Sequence, residues 1–172
     1  TVYSMGCDLF NKQALQKLAN LKDVKLNKSH FSIICSDLSN LSDYTKPIDR
    51  SVFKMLKHSL PGPFTFIMNA TQVIPKLFDN NRKEIGIRIP DNKIILEIVA
   101  LLGNPIATTS LHNHEDQIQD YFVDPYAIYE LYEDKVDMII DGGFGQLEAS
   151  TVIDCTQDEP VIIRQGIGNV QI

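Results

Sequence analysis

Asn81-Arg-Lys-Glu-Ile-Gly-Ile-Arg-Ile-Pro-Asp91 is the stretch on which the reading of this chain turns. It predicts a strand over 84–89 and places Arg88 inside it, flanked by Ile85, Ile87 and Ile89. A charged side chain in such surroundings is costly unless its head reaches water or an anion. The planar guanidinium fork suits phosphate or carboxylate. Two readings stay open at this point: an arginine that snorkels to the sheet edge, and an arginine that holds an anion.

Working outward, apolar spacing and turn residues predict alternating strands and helices. Strands are expected at 2–5, 31–35, 64–68, 84–89, Ile106–Ser110, 137–140, Thr151–Asp154 and Val161–Arg164. Helices are expected at Lys12–Leu21 with Asn11 as N-cap, at 36–41, at 49–58 with Val52, Phe53 and Leu56 inward, at Val73–Phe78, at 92–102 ended by Gly103, and at Pro125–Tyr132. Pro61-Gly62-Pro63 stops the third of these. Residues 112–120 are polar and aperiodic, which predicts an excursion. Strands and helices are too closely interleaved for an all-β sandwich. The expected architecture is a single α/β domain with a twisted, mixed parallel and antiparallel sheet flanked by helices. The last two strands, joined by a short loop, are expected to pair antiparallel.

The chain has 172 residues, 44% of them apolar, enough for one domain with a continuous core. No apolar run approaches the length of about 18 residues that spans a bilayer. A signal peptide is not visible, and a cytoplasmic location is expected. Cys7, Cys35 and Cys155 are an odd number in apolar settings, without a CxxC pair, so buried free thiols are expected and no structural metal. The net charge of −6 is unevenly spread. Residues 1–93 carry 14 Lys or Arg and 8 Asp or Glu, a balance of +6, whereas residues 94–172 carry 2 and 14, a balance of −12. The basic half suits a phosphate-bearing partner, or is simply a set of solvated helix faces. The acidic half argues against duplex nucleic acid wrapped around the whole domain. Arg164 repeats the Arg88 anomaly in a second apolar strand, and the pair points to an anion pocket.

Several segments together carry a family resemblance. Asn81–Asp91 resembles the "GxRxP" signature of the YrdC/Sua5/YciO family. Thr1-Val-Tyr-Ser-Met-Gly-Cys-Asp8 is similar to the family's opening, and Leu60-Pro-Gly-Pro-Phe-Thr-Phe-Ile67 to its "LPGPxTxI" segment. Ile106-Ala-Thr-Thr-Ser110, Val136-Asp-Met-Ile-Ile-Asp-Gly-Gly143, Ser150-Thr-Val-Ile-Asp154 and Ile162-Ile-Arg-Gln-Gly166 complete the series. The resemblance covers nearly the whole chain and implies a YrdC/RibB-like fold. It also implies that a helix and a strand precede Thr1 in the natural protein.

The activity implied by the resemblance is synthesis of threonylcarbamoyl-adenylate from L-threonine, bicarbonate and ATP with Mg, feeding a tRNA modification. Such chemistry needs cationic and hydroxyl groups around phosphates rather than a side-chain nucleophile. Carried over residue by residue, Lys22, Arg88, Ser110, Ser150, Thr151 and Arg164 are expected to bind nucleotide or anion, and Thr1 the small substrate, L-threonine or another small carboxylate. The resemblance further implies a monomer or weak dimer with no membrane partner.

Departures matter as much as matches. Val24 stands where the synthases have an arginine after Lys22, with Lys25 beside it. His112 replaces an asparagine, Leu111 a small residue, and Ala149 the glutamate before the Ser-Thr pair. These changes, with Gly143-Phe-Gly-Gln146, resemble the YciO branch. The resemblance therefore implies a nucleotide-binding, synthase-like protein of weak or redirected activity. The alternative is a protein that binds double-stranded RNA or tRNA without synthase activity.

Overall fold

A computed structural model describes residues 1–79, 81–111 and 121–170. Its strands are β1 (Ser4–Asp8), β2 (Ser32–Ile34), β3 (Phe64–Asn69), β4 (Glu84–Arg88), β5 (Ile106–Ser110), β6 (Thr151–Asp154) and β7 (Val161–Arg164). Its α-helices are α1 (Lys12–Leu21), α2 (Leu41–Tyr44), α3 (Arg50–Ser59), α4 (Val73–Phe78), α5 (Lys93–Leu102) and α6 (Pro125–Tyr132). The seven strands form one sheet in the order β1-β5-β2-β4-β3-β6-β7. The β2–β4 and β3–β6 pairs are parallel and the other four antiparallel, so the mixed α/β architecture expected from the sequence is the one observed.

Strand alternation sorts the two faces of this sheet. Ile33, Phe66, Ile85, Ile87 and Ile153 are fully buried on one face. They merge with Leu15, Leu18 and Ala19 of α1, Val52 and Leu56 of α3, and Ile74 and Phe78 of α4 in the main core. Each such large side chain stabilises the fold by about 1.5–3 kcal/mol relative to exposure. The opposite face is covered only in part. There Ile34 and Ile106 lie opposite one another and pack with Ile95, Ile98 and Val99 of α5. Two residues back along β2, the same face carries Ser32, opposite Gly86 and Thr108, and among the described residues no helix covers that row with apolar side chains. The uncovered half of this face is the site described below.

The helices start where their caps dictate. Asn11, Asp49, Asn92 and Asp124 each accept a backbone N–H of the following turn, from Ala14, Ser51, Ile95 and Tyr126. Gly103, at φ 72°, closes α5.

Four expectations need correction. Residues 36–40 are not helical: the Asp37 carboxylate accepts the Ser39 N–H at 2.7 Å and the Ser39 hydroxyl, a local turn that competes with helix. Only Leu41–Tyr44 forms a helical turn there. The first strand runs later than expected, through Gly6 rather than ending before it. A Cβ on Gly6 would lie 2.8 Å from the Ala107 carbonyl oxygen, so glycine permits the close approach of β1 to β5. Residues 137–140 form no strand. They run over an apolar cavity beside β1, tied by an ion pair from Lys17 Nζ to Asp137 Oδ2 at 3.1 Å. Phe53 is 39% exposed instead of inward, with Lys57 Nζ 6.0 Å from its ring centre. The expectation for 112–120 lies outside the described residues.

Candidate anion-binding cleft

The uncovered half of the sheet bears a cleft of about 470 Å³. Its floor is made of small and hydroxyl side chains: Ser32 on β2, Gly86 on β4, Thr65 on β3, Thr108 and Ser110 on β5, and Ser150 just before β6. Gly86 keeps this floor open, since a Cβ there would run into the Ser32 hydroxyl and sit 3.2 Å from the Thr65 methyl. Arg82, Lys83, Arg88, Arg164 and His30 line the walls, against a single carboxylate, Glu84.

Arg88 sits at the inner end. Its Nη2 donates to Thr1 Oγ1 at 3.1 Å, while its Nε is enclosed and meets no acceptor among the described residues. Burial, and then the neighbouring charge of Arg164, pull its pKa down to about 10, so it stays cationic at neutral pH. Arg164 is held by donation from Nη2 (2.8 Å) and Nε (3.2 Å) to the Ser150 carbonyl and from Nη2 to Ser150 Oγ (3.3 Å). Ser150 Oγ in turn shares a hydrogen bond of 2.9 Å with Thr65 Oγ1. Neither Arg88 nor Arg164 forms an ion pair with a carboxylate of the described residues. Among the described residues, two guanidiniums thus share the cleft without an ion-pair partner, and one of them has a buried donor left over. Such a pair suits an anion with several oxygens.

The sequence-derived site residues divide into groups. Arg88, Ser110, Ser150 and Arg164 line one cleft. Thr1 joins it at the edge: with Arg88 it lines a second hollow of about 560 Å³ that opens beside the cleft. Lys22 caps α1 and donates from Nζ to the Ser110 carbonyl at 3.1 Å, so it holds the end of β5 and does not line the cleft. Burial pulls its pKa down. Thr151, expected to bind nucleotide, does not line this cleft. It is fully buried, its hydroxyl donates to the Gly168 carbonyl at 2.6 Å, and that hydroxyl accepts the Gly166 N–H at 3.0 Å. Ser150, just before β6, and Val152, on it, face the cleft, so alternation turns Thr151 away from it. Val24 and Lys25 line a separate depression with Asp23 and Asp79. His112 lies outside the described residues. Ala149 lines the cleft.

Sequence reasoning missed Ser32, Thr65, Thr108, Arg82, Lys83 and His30. Ser32, Thr65 and Thr108 carry no such signal in sequence, because they meet only through the sheet order that sets β2, β3 and β5 around β4. Arg82 and Lys83 stand in the opening stretch itself. Arg82 lies over the Phe78 ring at 5.5 Å, and burial pulls its pKa to about 10.

Among the described residues, one face of the mixed α/β sheet carries a cleft floored by hydroxyls and walled by arginines, an arrangement that suits an anion. A family model described as Telomere recombination, Sua5/YciO/YrdC, matches residues 1–166. An uncharacterized protein of Haemophilus influenzae is 40% identical over 97% of this chain and 80% of its own length. The crystal structure of Escherichia coli YciO, 35% identical, superposes with a TM-score of 0.85 over 99% of this chain and 82% of that one. The crystal structure of Pyrococcus abyssi Sua5 complexed with L-threonine, 26% identical, gives 0.84 over 96% of this chain and 48% of that one. The chain belongs to the Sua5/YciO/YrdC family.

Proposed function

We propose that this protein binds a nucleotide and a small carboxylate in the cleft and is threonylcarbamoyl-AMP synthase-like, with weak or redirected activity. The observation that carries the reading is Arg88: a largely enclosed guanidinium beside Arg164, with no carboxylate partner among the described residues. Phosphate oxygens of ATP supply the missing charge, and the hydroxyls of Ser32, Thr65, Ser110 and Ser150 supply hydrogen bonds around them. ATP enters as its Mg complex. Relatives carry the name threonylcarbamoyl-AMP synthase, among them a Pyrococcus abyssi protein 27% identical over 96% of this chain and 48% of its own length. L-threonine bound to Pyrococcus abyssi Sua5 makes a small amino acid the first candidate for the second substrate. In this reading the residues align a carboxylate with the α-phosphate and neutralise the charge that develops as pyrophosphate leaves. Calorimetric titration with ATP, AMP and L-threonine tests it. Saturable ATP binding that is lost on Arg88→Ala supports it, and no heat with any of the three refutes it.

A second reading rests on α3. Arg50, Lys54 and Lys57 are exposed on this helix and are not part of the cleft wall. A row of cations of this kind suits the phosphates of double-stranded RNA or tRNA, read by shape.

A further inference from the structure

The hollow beside the cleft is large, mixes polar and apolar surface, and meets the cleft at Arg88. Arg88 and Val2 line both spaces. Ile94, Ile98, Ile167 and Phe144 contribute apolar surface to the second, whose volume of about 560 Å³ falls within the usual range of ligand sites. Phe144 is 78% exposed. Leaving a phenyl ring in water is unfavourable, and a slack loop would fold it in. This loop is not slack. Tyr3 donates its hydroxyl proton to the Gly143 carbonyl at 2.5 Å and accepts the Gly142 N–H at 3.2 Å. Gly145 donates to the Val123 carbonyl at 2.7 Å. Gly143 holds φ 82°, and a Cβ on Gly145 would lie 2.8 Å from the Tyr3 ring. The loop is braced in a shape that presents Phe144 at the mouth of the hollow.

We infer that Phe144 is a stacking platform for the base of a nucleotide whose phosphates sit at Arg88 and Arg164. The inference rests on the anion reading of the cleft and adds what the neighbouring hollow takes. Phosphates satisfy the arginines but leave unused a space beside them that offers an aromatic ring, isoleucine side chains and polar groups such as Asn92 and Gln146. A small amino acid has no ring to set against Phe144. A nucleoside has a flat apolar face on one end and its phosphates on the other, and so matches the order in which the two spaces meet at Arg88. Phe144 thus favours a base-bearing phosphate over a bare polyphosphate.

The test compares Mg-ATP with inorganic tripolyphosphate. Phe144→Ala and Phe144→Leu are expected to weaken ATP binding by about tenfold, the scale of one aromatic–base stack, while tripolyphosphate binding stays unchanged. Phe144→Trp is expected to keep ATP affinity. Because the chain has no tryptophan, this variant also gives a single reporter, whose emission ATP should quench and tripolyphosphate should not. Unchanged ATP affinity in Phe144→Ala, equal weakening of both ligands, or Trp emission that does not respond to saturating ATP would overturn the platform. If the wild-type protein binds tripolyphosphate as tightly as ATP, the platform falls and the anion cleft stands. If it binds neither, the cleft reading fails and the platform falls with it.

Discussion

Replacing Arg88 by methionine should weaken ATP binding without weakening the fold. The side chain contributes a guanidinium whose Nη2 reaches Thr1 Oγ1 at 3.1 Å and whose enclosed Nε has no acceptor among the described residues. Hydrogen bonds to charged groups are worth about 1.5–3 kcal/mol each, so losing one phosphate contact should raise the ATP dissociation constant roughly 10- to 150-fold. Arg88→Lys keeps the charge and loses the fork, and should fall between the two. The stability effect should have the opposite sign to that of an ordinary core deletion. Burial disfavours the Arg88 cation, as its lowered pKa records, and among the described residues the Thr1 hydroxyl is its side-chain hydrogen-bond acceptor. Methionine keeps much of the buried stem and removes the desolvated charge, so the melting temperature should be unchanged or higher. Calorimetric titration and thermal unfolding on the same preparations give both numbers. A variant that loses stability while keeping ATP affinity would refute the argument and make Arg88 a structural residue.

Three further outcomes follow from other parts of the molecule. Reversing Lys54 and Lys57 to glutamate should weaken any RNA binding and flatten its salt dependence while leaving ATP affinity unchanged; filter binding across a salt series reads this, and parallel loss of both ligands contradicts it. Burial raises the thiols of Cys7 and Cys35 from 9.0 to about 12 and that of Cys155 to about 11. The folded state therefore retains protons that the unfolded chain gives up, so the stability these thiols contribute is present below pH 9.0 and declines as pH rises towards 11–12. Urea midpoints across that window should fall less steeply when the thiols are replaced by alanine. Threonine-dependent release of pyrophosphate from ATP and bicarbonate should be slow or absent, and robust turnover would place the chain with the synthases.

The fold was legible because its signals are local and repeated. Asn11 marks a helix start, Gly103 marks an end, and the strands β5, β6 and β7 and the helices α1, α4 and α6 have the expected bounds. Misreadings arose where a tertiary neighbour or a side-chain turn overrode a short apolar run. Met138, Ile139 and Ile140 look like a strand, but they line an apolar cavity beside the edge strand instead of extending the sheet. Arg88 and Arg164 were legible as anomalies, charges in apolar strands. The rest of the cleft was not, because Ser32, Thr65 and Thr108 are ordinary strand residues until the sheet order brings β2, β3 and β5 around β4.

That order also changes which departures from the synthase pattern carry weight. In sequence, Val24 is the conspicuous loss, a residue without a donor where an arginine is expected. In space it lines a different depression from the arginines, so its effect on ligand at Arg88 is indirect at most. Leu111 is similarly displaced: its N–H pairs with the Tyr3 carbonyl at 2.9 Å and its side chain faces the apolar cavity. Ala149 is different, because it lines the same cleft as Arg88, Ser150 and Arg164. A methyl group there, in place of the family's glutamate, removes a carboxylate from a cleft that already holds more cations than anions. The consequence is a site with greater attraction for polyphosphate and one acid fewer to position a second substrate. Under the proposed nucleotide reading, that exchange favours redirected rather than absent chemistry: Arg88, Ser150 and Arg164 still line the cleft, and the carboxylate beside them is lost.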